Sequence, residues 1–188
     1  MSGAIELNLK VELDRSYTVE DAAFENLLKW SPRPAEALTV ADSTGRIFRA
    51  RVLDISKETA AIFVFEEAGR INSPETEIAL LQALPEKERM ELIIQKAAEL
   101  GVSMIAPFKS KKSISLEERE TRQKKSHKWQ AIALKAAKQS RRRSIPEVLS
   151  YRSFKEAIEL SSGSGLSLLL WEKKAGIRHI KEVLREVK

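Results

Sequence analysis

The chain has 188 residues, of which 43% are hydrophobic, and it carries a formal net charge of +6. This apolar fraction can build a core and excludes an intrinsically disordered chain. The absence of cysteine excludes disulfides and thiolate metal sites, and the two histidines, His127 and His179, are too few and too far apart to form a metal site.

The positive charge is concentrated in one part of the sequence. Between Lys109 and Arg143 there are 13 Lys and Arg against 3 Glu, whereas the rest of the chain holds 20 basic and 24 acidic residues. A basic segment of this kind indicates a polyanionic partner. No signal peptide is visible and the apolar runs are too short to span a bilayer, so a cytoplasmic protein without a membrane partner is expected.

Residues 1–70 alternate apolar and polar side chains and predict a small β-barrel. The first strand is predicted from Ile5 to Leu13, where every second residue is apolar. The remaining elements are three strands and one short helix, predicted over Ala37–Asp42, Phe48–Leu53, Ala60–Phe65 and Phe24–Trp30.

Residues 71–77, with Asn72, Ser73 and Pro74, are predicted to link this unit to a second domain over residues 78–188. The second domain opens with apolar runs at Ile78–Leu81 and Val102–Phe108, which flank an amphipathic helix. Pro85 suits the start of that helix and Gly101 suits its left-handed C-terminal cap. The order strand, helix, strand predicts a parallel crossover unit. The apolar face of the helix is predicted to contain Met90, Ile93, Ile94, Ala97, Ala98 and Leu100.

A long basic helix is predicted over about Leu116–Ser140, with its apolar face around Trp129 and Ala133. Its lysines fit a solvated helix face and an RNA-binding face equally well. The cluster Arg141–Arg143 directly after it favours phosphate contact, because the planar guanidinium matches the geometry of phosphate. Arg49 and Arg51, by contrast, are interpreted as solvated strand residues.

The rest of the chain predicts strands over Ile145–Leu149 and Leu166–Leu170 and helices over Phe154–Leu160 and Ile177–Val187. Ligands of open α/β sheets bind outside the carboxyl ends of the strands. Leu170, Trp171 and Glu172 are therefore predicted to border a ligand crevice, although Trp171 fits a core or interface aromatic equally well.

Two blocks of this sequence resemble the RsmE family of SPOUT-class enzymes, which methylate N3 of a uridine in small-subunit ribosomal RNA. From Leu80 the first block follows the pattern LxQALPxxxRMExIIQKAxELGVSxIxPxxSxxS. The second block consists of Trp129–Gln130, Ala136–Ala137, Gln139–Ser140, Arg142 and Pro146–Glu147.

The resemblance implies an α/β protein in which a PUA-like N-terminal β-barrel that helps to bind RNA precedes a SPOUT-type parallel α/β domain. It also implies S-adenosylmethionine as cofactor, the small ribosomal subunit as partner, and a homodimer. The loop that contains Leu170, Trp171 and Glu172 would lie beside S-adenosylmethionine. For Lys96 an ion pair with Glu99 is the structural alternative to RNA binding. The candidate RNA-binding residues are Arg89, Lys96, Lys112, Gln139, Arg141, Arg142 and Arg143.

Two segments expected from the family do not occur before Lys188: a loop of the type Gly-Pro-Glu-Gly-Gly and a Leu-Arg-x-Glu-Thr-Ala segment. In the family they form the trefoil knot and most of the methyl-donor pocket, so no catalytic base can be assigned. A shortened chain of an active enzyme is the favoured explanation, because without the next strand Leu166–Leu170 would be an unpaired apolar edge. The alternative is a non-catalytic RNA- or ribosome-binding module that has lost the knot.

Overall fold

The computed structural model describes residues 4–70, 76–111, 113, 128–142, 144–170 and 178–186. Within these ranges the helices are α1 (Asp21–Lys29), α2 (Lys87–Leu100), α3 (Trp129–Gln139), α4 (Phe154–Glu159) and α5 (Ile180–Glu186). The strands are β1 (Ile5–Glu6), β2 (Arg15–Val19), β3 (Ala37–Ala41), β4 (Arg46–Ile55), β5 (Ala60–Arg70), β6 (Ala79–Ala83), β7 (Met104–Phe108) and β8 (Glu147–Val148). No helix among the described residues is long and apolar enough to cross a membrane.

The N-terminal unit is a five-stranded sheet in the order β1-β3-β4-β5-β2. Strands β3, β4 and β5 form an antiparallel meander, and β2 pairs antiparallel with β5. The predicted alternation along β4 is confirmed, since Phe48, Ala50 and Val52 are buried. Phe24 and Leu27 of α1 complete the core of this unit. A β-sheet unit at the N-terminus is therefore confirmed, and its closer likeness to a PUA domain stays a prediction.

The prediction of one strand from Ile5 to Leu13 was wrong. Strand β1 ends at Glu6, and Leu9 and Leu13 are 41% and 46% exposed. The carbonyl of Leu9 accepts a hydrogen bond from the Ser43 N–H. The segment around Leu9 therefore bonds to the turn that follows β3 and does not pair with a strand. Apolar alternation alone could not reveal this, because the partner of the segment is a distant turn.

The second unit contains a parallel sheet in the order β6-β7-β8. Helix α2 connects β6 to β7, which confirms the predicted crossover. It ends at Gly101, whose φ of 95° is left-handed as predicted. Met90, Ile94 and Ala97 of α2 share a buried cluster with Trp129 and Ala133 of α3. Leu100 does not belong to this face, because it is 81% exposed.

The predicted buried strand at Leu166–Leu170 was also wrong. The structure assigns no strand there, and Leu169 and Leu170 are 82% and 88% exposed. A strand requires a hydrogen-bonded neighbour, and an apolar composition does not supply one. The helices predicted at both sides of this segment are confirmed as α4 and α5. Residues 71–75 and 114–127 lie outside the described residues, so the linker, the domain boundaries and the first half of the basic helix stay predictions.

Candidate nucleic-acid interface

The C-terminus of α3 presents two of the predicted arginines. The Arg141 N–H donates to the Lys138 carbonyl at 3.1 Å, and the Arg142 N–H donates to the Ala137 carbonyl at 2.9 Å. This pair of bonds is the Schellman arrangement, in which the residue after the cap is left-handed and usually glycine. Here that residue is Arg141, with a φ of 55°. The backbone of Arg141 is therefore strained.

Arg142 has a structural partner in Gly101. Its guanidinium lies so close to this glycine that a Cβ built at Gly101 would be 2.6 Å from Arg142 Cζ. Gly101 caps α2, and the negative end of a helix dipole attracts a cation. Arg142 thus joins the end of α3 to the end of α2, which makes it a positioning residue as well as a candidate RNA contact.

Arg49 of β4 reaches the same region from the N-terminal unit. Its Nη1 donates to Thr39 Oγ1 of β3 at 2.7 Å, and its side chain is half-buried. Burial lowers the pKa of Arg49, the charge of Arg141 lowers it further, and the carboxylate of Glu66 raises it. Arg49 is therefore not the solvated strand residue that the sequence predicted.

Lys138 fastens the two units together at this place. Its Nζ forms a 2.8 Å ion pair with Glu36 and donates to the Ser31 carbonyl at 3.1 Å. A cavity of about 60 Å³ lies at the junction. We call its four cationic lining residues the basic seam: Arg49, Lys138, Arg141 and Arg142.

Three further predicted RNA-binding residues that the structure describes, Arg89, Lys96 and Gln139, do not line the cavity of the basic seam. Arg89 is exposed in the first turn of α2, and its Cα is separated from Gly101 by about 18 Å of helix axis. Lys96 forms a 2.8 Å ion pair with Glu99, as its structural alternative predicted. Gln139 is exposed at the end of α3. Lys112 and Arg143 lie outside the described residues.

A second candidate region lies at the carboxyl ends of the parallel strands. The hydroxyl oxygens of Ser110 and Ser113 are 3.1 Å apart in the turn after β7. Nearby, the backbone of Arg152 bonds to Pro107 and Lys109, and its buried Nε has no hydrogen-bond partner within the described part of the chain. Leu170 is exposed, and Trp171 and Glu172 lie outside the described residues, so the predicted cofactor contacts stay predictions. Over the same described residues there is no cluster of metal-binding side chains.

Gln130 holds the start of β8 against α3. Its Nε2 donates to the Pro146 carbonyl at 3.1 Å, and its Oε1 accepts from the Val148 N–H at 2.9 Å. These bonds give a structural reason for two parts of the second sequence block, Trp129–Gln130 and Pro146–Glu147. The contact with Gly101 gives one for Arg142. Sequence reasoning missed Arg49, since no local signal connects β4 with the end of α3.

Comparison with known proteins agrees with this architecture. The family model for the RNA methyltransferase domain matches residues 72–187. Ribosomal RNA small subunit methyltransferase E from Bacillus subtilis is 28% identical over 111 residues, which are 59% of this chain and 43% of that protein. The chain thus spans about half the length of the curated relatives it matches.

Two solved structures are also similar. A hypothetical protein superposes with a TM-score of 0.50 and 20% identity, covering 82% of this chain and 65% of that one, so the two share a fold. Ribosomal RNA small subunit methyltransferase E from Neisseria gonorrhoeae, bound to S-adenosyl methionine, gives a TM-score of 0.49 and 28% identity over 81% of this chain and 62% of that one.

Proposed function

Because the chain belongs to the RNA methyltransferase domain family, we propose that it acts in S-adenosylmethionine-dependent methylation of N3 of a uridine in small-subunit ribosomal RNA. The observation that carries the proposal is the family match over residues 72–187. This range contains the basic segment Lys109–Arg143. Its curated relatives are named for methylation of the small ribosomal subunit. We place the protein in the cytoplasm, where it would act as a homodimer on ribosomal RNA.

The chemistry requires positioning more than a reactive side chain. N3 of uracil is weakly acidic, and it must lose its proton and approach the methyl group in line. Holding two reactants in line supplies a large share of the acceleration of such a transfer. The base must also be unpaired or flipped, because N3 lies on its Watson–Crick edge. The proposed role of the basic seam in this reaction is to bind the RNA backbone.

The carboxyl ends of β6, β7 and β8 are the proposed place of the cofactor. When bound, S-adenosylmethionine supplies an electrophilic methyl group on a sulfonium. Leu170, Trp171 and Glu172 would border it. The buried Arg152 Nε, which has no hydrogen-bond partner among the described residues, fits a ligand that carries a carboxylate. This edge of a parallel sheet is where ligands of α/β proteins bind.

The proposed activity predicts methyl transfer to small ribosomal subunits. The complete gene product, incubated with methyl-labelled S-adenosylmethionine and subunits from a methylation-deficient strain, should incorporate label into the RNA. Subunits that already carry the methyl group are the matched control and should remain unlabelled. Absence of label in the deficient subunits would contradict the proposal.

The alternative is a non-catalytic RNA-binding module, and the basic seam supports it equally. Calorimetric titration with S-adenosylmethionine separates the two functions without RNA. Heat of binding is expected from the enzyme, whereas the non-catalytic module would bind RNA in a salt-dependent manner and show no response to the cofactor.

A further inference from the structure

We propose that Arg49 and Arg141 together bind one backbone phosphate of the RNA, so that the N-terminal sheet and the end of α3 hold the substrate jointly. The inference rests on the RNA-binding part of the proposed function and adds a site within it. Neither unit contains this site alone, since Arg49 belongs to β4 and Arg141 follows α3.

The first argument is charge. Arg49 and Arg141 line the same small cavity, and among the described residues neither forms an ion pair. Glu66 pairs with Arg49 across strands β4 and β5, yet no oxygen–nitrogen contact within ion-pair distance joins them. Lys138 is neutralised by Glu36. The two arginines line one cavity, and the charge of Arg141 acts unfavourably on that of Arg49. A phosphate between them would turn this repulsion into two charge-assisted contacts.

The second argument is the backbone at Arg141. Glycine is the default residue at this left-handed position, and a residue with a Cβ is strained there. An arginine in the left-handed conformation directs its side chain differently from a helical residue. The strain is thus located at the residue that the phosphate site requires, which is where functional strain is expected.

The third argument is that the Arg49 side chain and the Arg141 backbone are held in place. Thr39 Oγ1 accepts one Arg49 donor at 2.7 Å, which leaves the other donors of its guanidinium for an anion. The Schellman bonds fix the backbone of Arg141, and the Lys138–Glu36 ion pair ties α3 to the residue before β3. A pre-organised Arg49 loses little conformational entropy when it binds.

The test measures affinity for a short single-stranded oligoribonucleotide at several salt concentrations, using the 188-residue chain and its variants. Arg49→Gln and Arg141→Gly should each weaken binding on the order of tenfold and reduce the slope of log K against log salt by about 0.7. The double variant should lose little more than either single variant, because both arginines would contact the same phosphate. Arg49→Lys keeps the charge and should retain the slope while losing affinity.

Arg51→Gln is the matched control. Arg51 lies on the same strand, carries the same charge and packs over the Phe65 ring at 5.7 Å, outside the cavity. Its removal should leave the salt slope unchanged. Equal effects of Arg51→Gln and Arg49→Gln, or fully additive losses in the double variant, would overturn the shared site.

Stability provides an independent readout at Arg141. Because glycine relieves the left-handed strain, Arg141→Gly should raise the melting temperature by roughly 2 °C while it weakens RNA binding. A variant that melts higher and binds RNA like the parent chain would overturn the site. None of these readouts uses the methyl donor, so failed methyl transfer with intact slope changes would sink only the proposed function.

Discussion

Replacement of Asp42 by asparagine is expected to destabilise the N-terminal unit by about 3 kcal/mol. The buried Asp42 carboxylate accepts hydrogen bonds from Thr44 Oγ1 at 2.6 Å, from the Thr44 and Arg46 N–H groups at 2.8 and 2.9 Å, and from Arg46 Nη2 at 3.0 Å. Asparagine removes the charge and one acceptor, which leaves Arg46 with only its longer 3.9 Å ion pair to Glu67. Denaturant unfolding monitored by tryptophan fluorescence would measure the loss.

The same carboxylate makes stability depend on pH. Burial raises the pKa of Asp42, but the hydrogen bonds from Thr44, Arg46 and Val11 outweigh it and hold the pKa well below its usual range. A lowered folded-state pKa means that the stabilisation is present above the unfolded pKa of about 4 and is lost as pH falls below it. Asp42→Asn should therefore flatten the fall in unfolding free energy at acidic pH.

Asp54→Asn is the matched control for this prediction. Asp54 is exposed at the end of β4 and accepts a single long contact from Ser56 Oγ at 3.5 Å. Its replacement should change the unfolding free energy by less than about 0.5 kcal/mol. If the two variants lost the same unfolding free energy, the hydrogen bonds of Asp42 to Thr44 and Arg46 would not stabilise the turn between β3 and β4.

Replacement of Gly101 by alanine is the second large effect, with an expected loss of roughly 1–2 kcal/mol. The φ of 95° at Gly101 is strained for any residue with a Cβ, and the new methyl group would meet the Arg142 guanidinium. The guanidinium is the far end of a flexible side chain and can move, so most of the loss comes from the backbone. The melting temperature should fall by about 3–6 °C.

A double-mutant cycle with Arg142→Ala separates the two contributions. In the Arg142→Ala background the cost of Gly101→Ala should shrink to the backbone part alone. Gly163→Ala is the control, because its Cβ would have no neighbour within 4 Å and its φ is not left-handed. An equal cost of Gly101→Ala in the two backgrounds would contradict the contact between the ends of α2 and α3, and an unchanged melting temperature would contradict the backbone strain.

Local signals in the sequence predicted the elements that depend on local physics. Gly101 marked the C-terminal end of α2, whereas Pro85 lies two residues before its first residue, Lys87. Apolar spacing identified the buried face of α2, and the order of elements gave the parallel crossover. Strand alternation located β4 and its inward side chains. The helix end, the buried helix face and the strand alternation are each determined by residues within a few positions of one another, which is why a single sequence sufficed for them.

The predictions that failed concern features that depend on residues distant in the sequence. The segment after Glu6 bonds to the turn at Ser43, and Leu166–Leu170 has the composition of a strand without the neighbour that would make it one. The position of Arg49 beside Arg141 depends on how the N-terminal sheet meets α3. The clustering of charge identified the arginines after α3. Only the fold shows that Arg49 lines the same cavity as these arginines and that Arg89 and Lys96 do not.

The central claim, that this chain serves uridine-N3 methylation of small-subunit RNA, is tested most directly by nucleoside analysis. Small subunits from a methylation-deficient strain would be treated with the complete gene product and S-adenosylmethionine, and their RNA would be digested and analysed by mass spectrometry. The account predicts 3-methyluridine that is absent without enzyme. Methylation at a different atom, or no new methylated nucleoside, would contradict it.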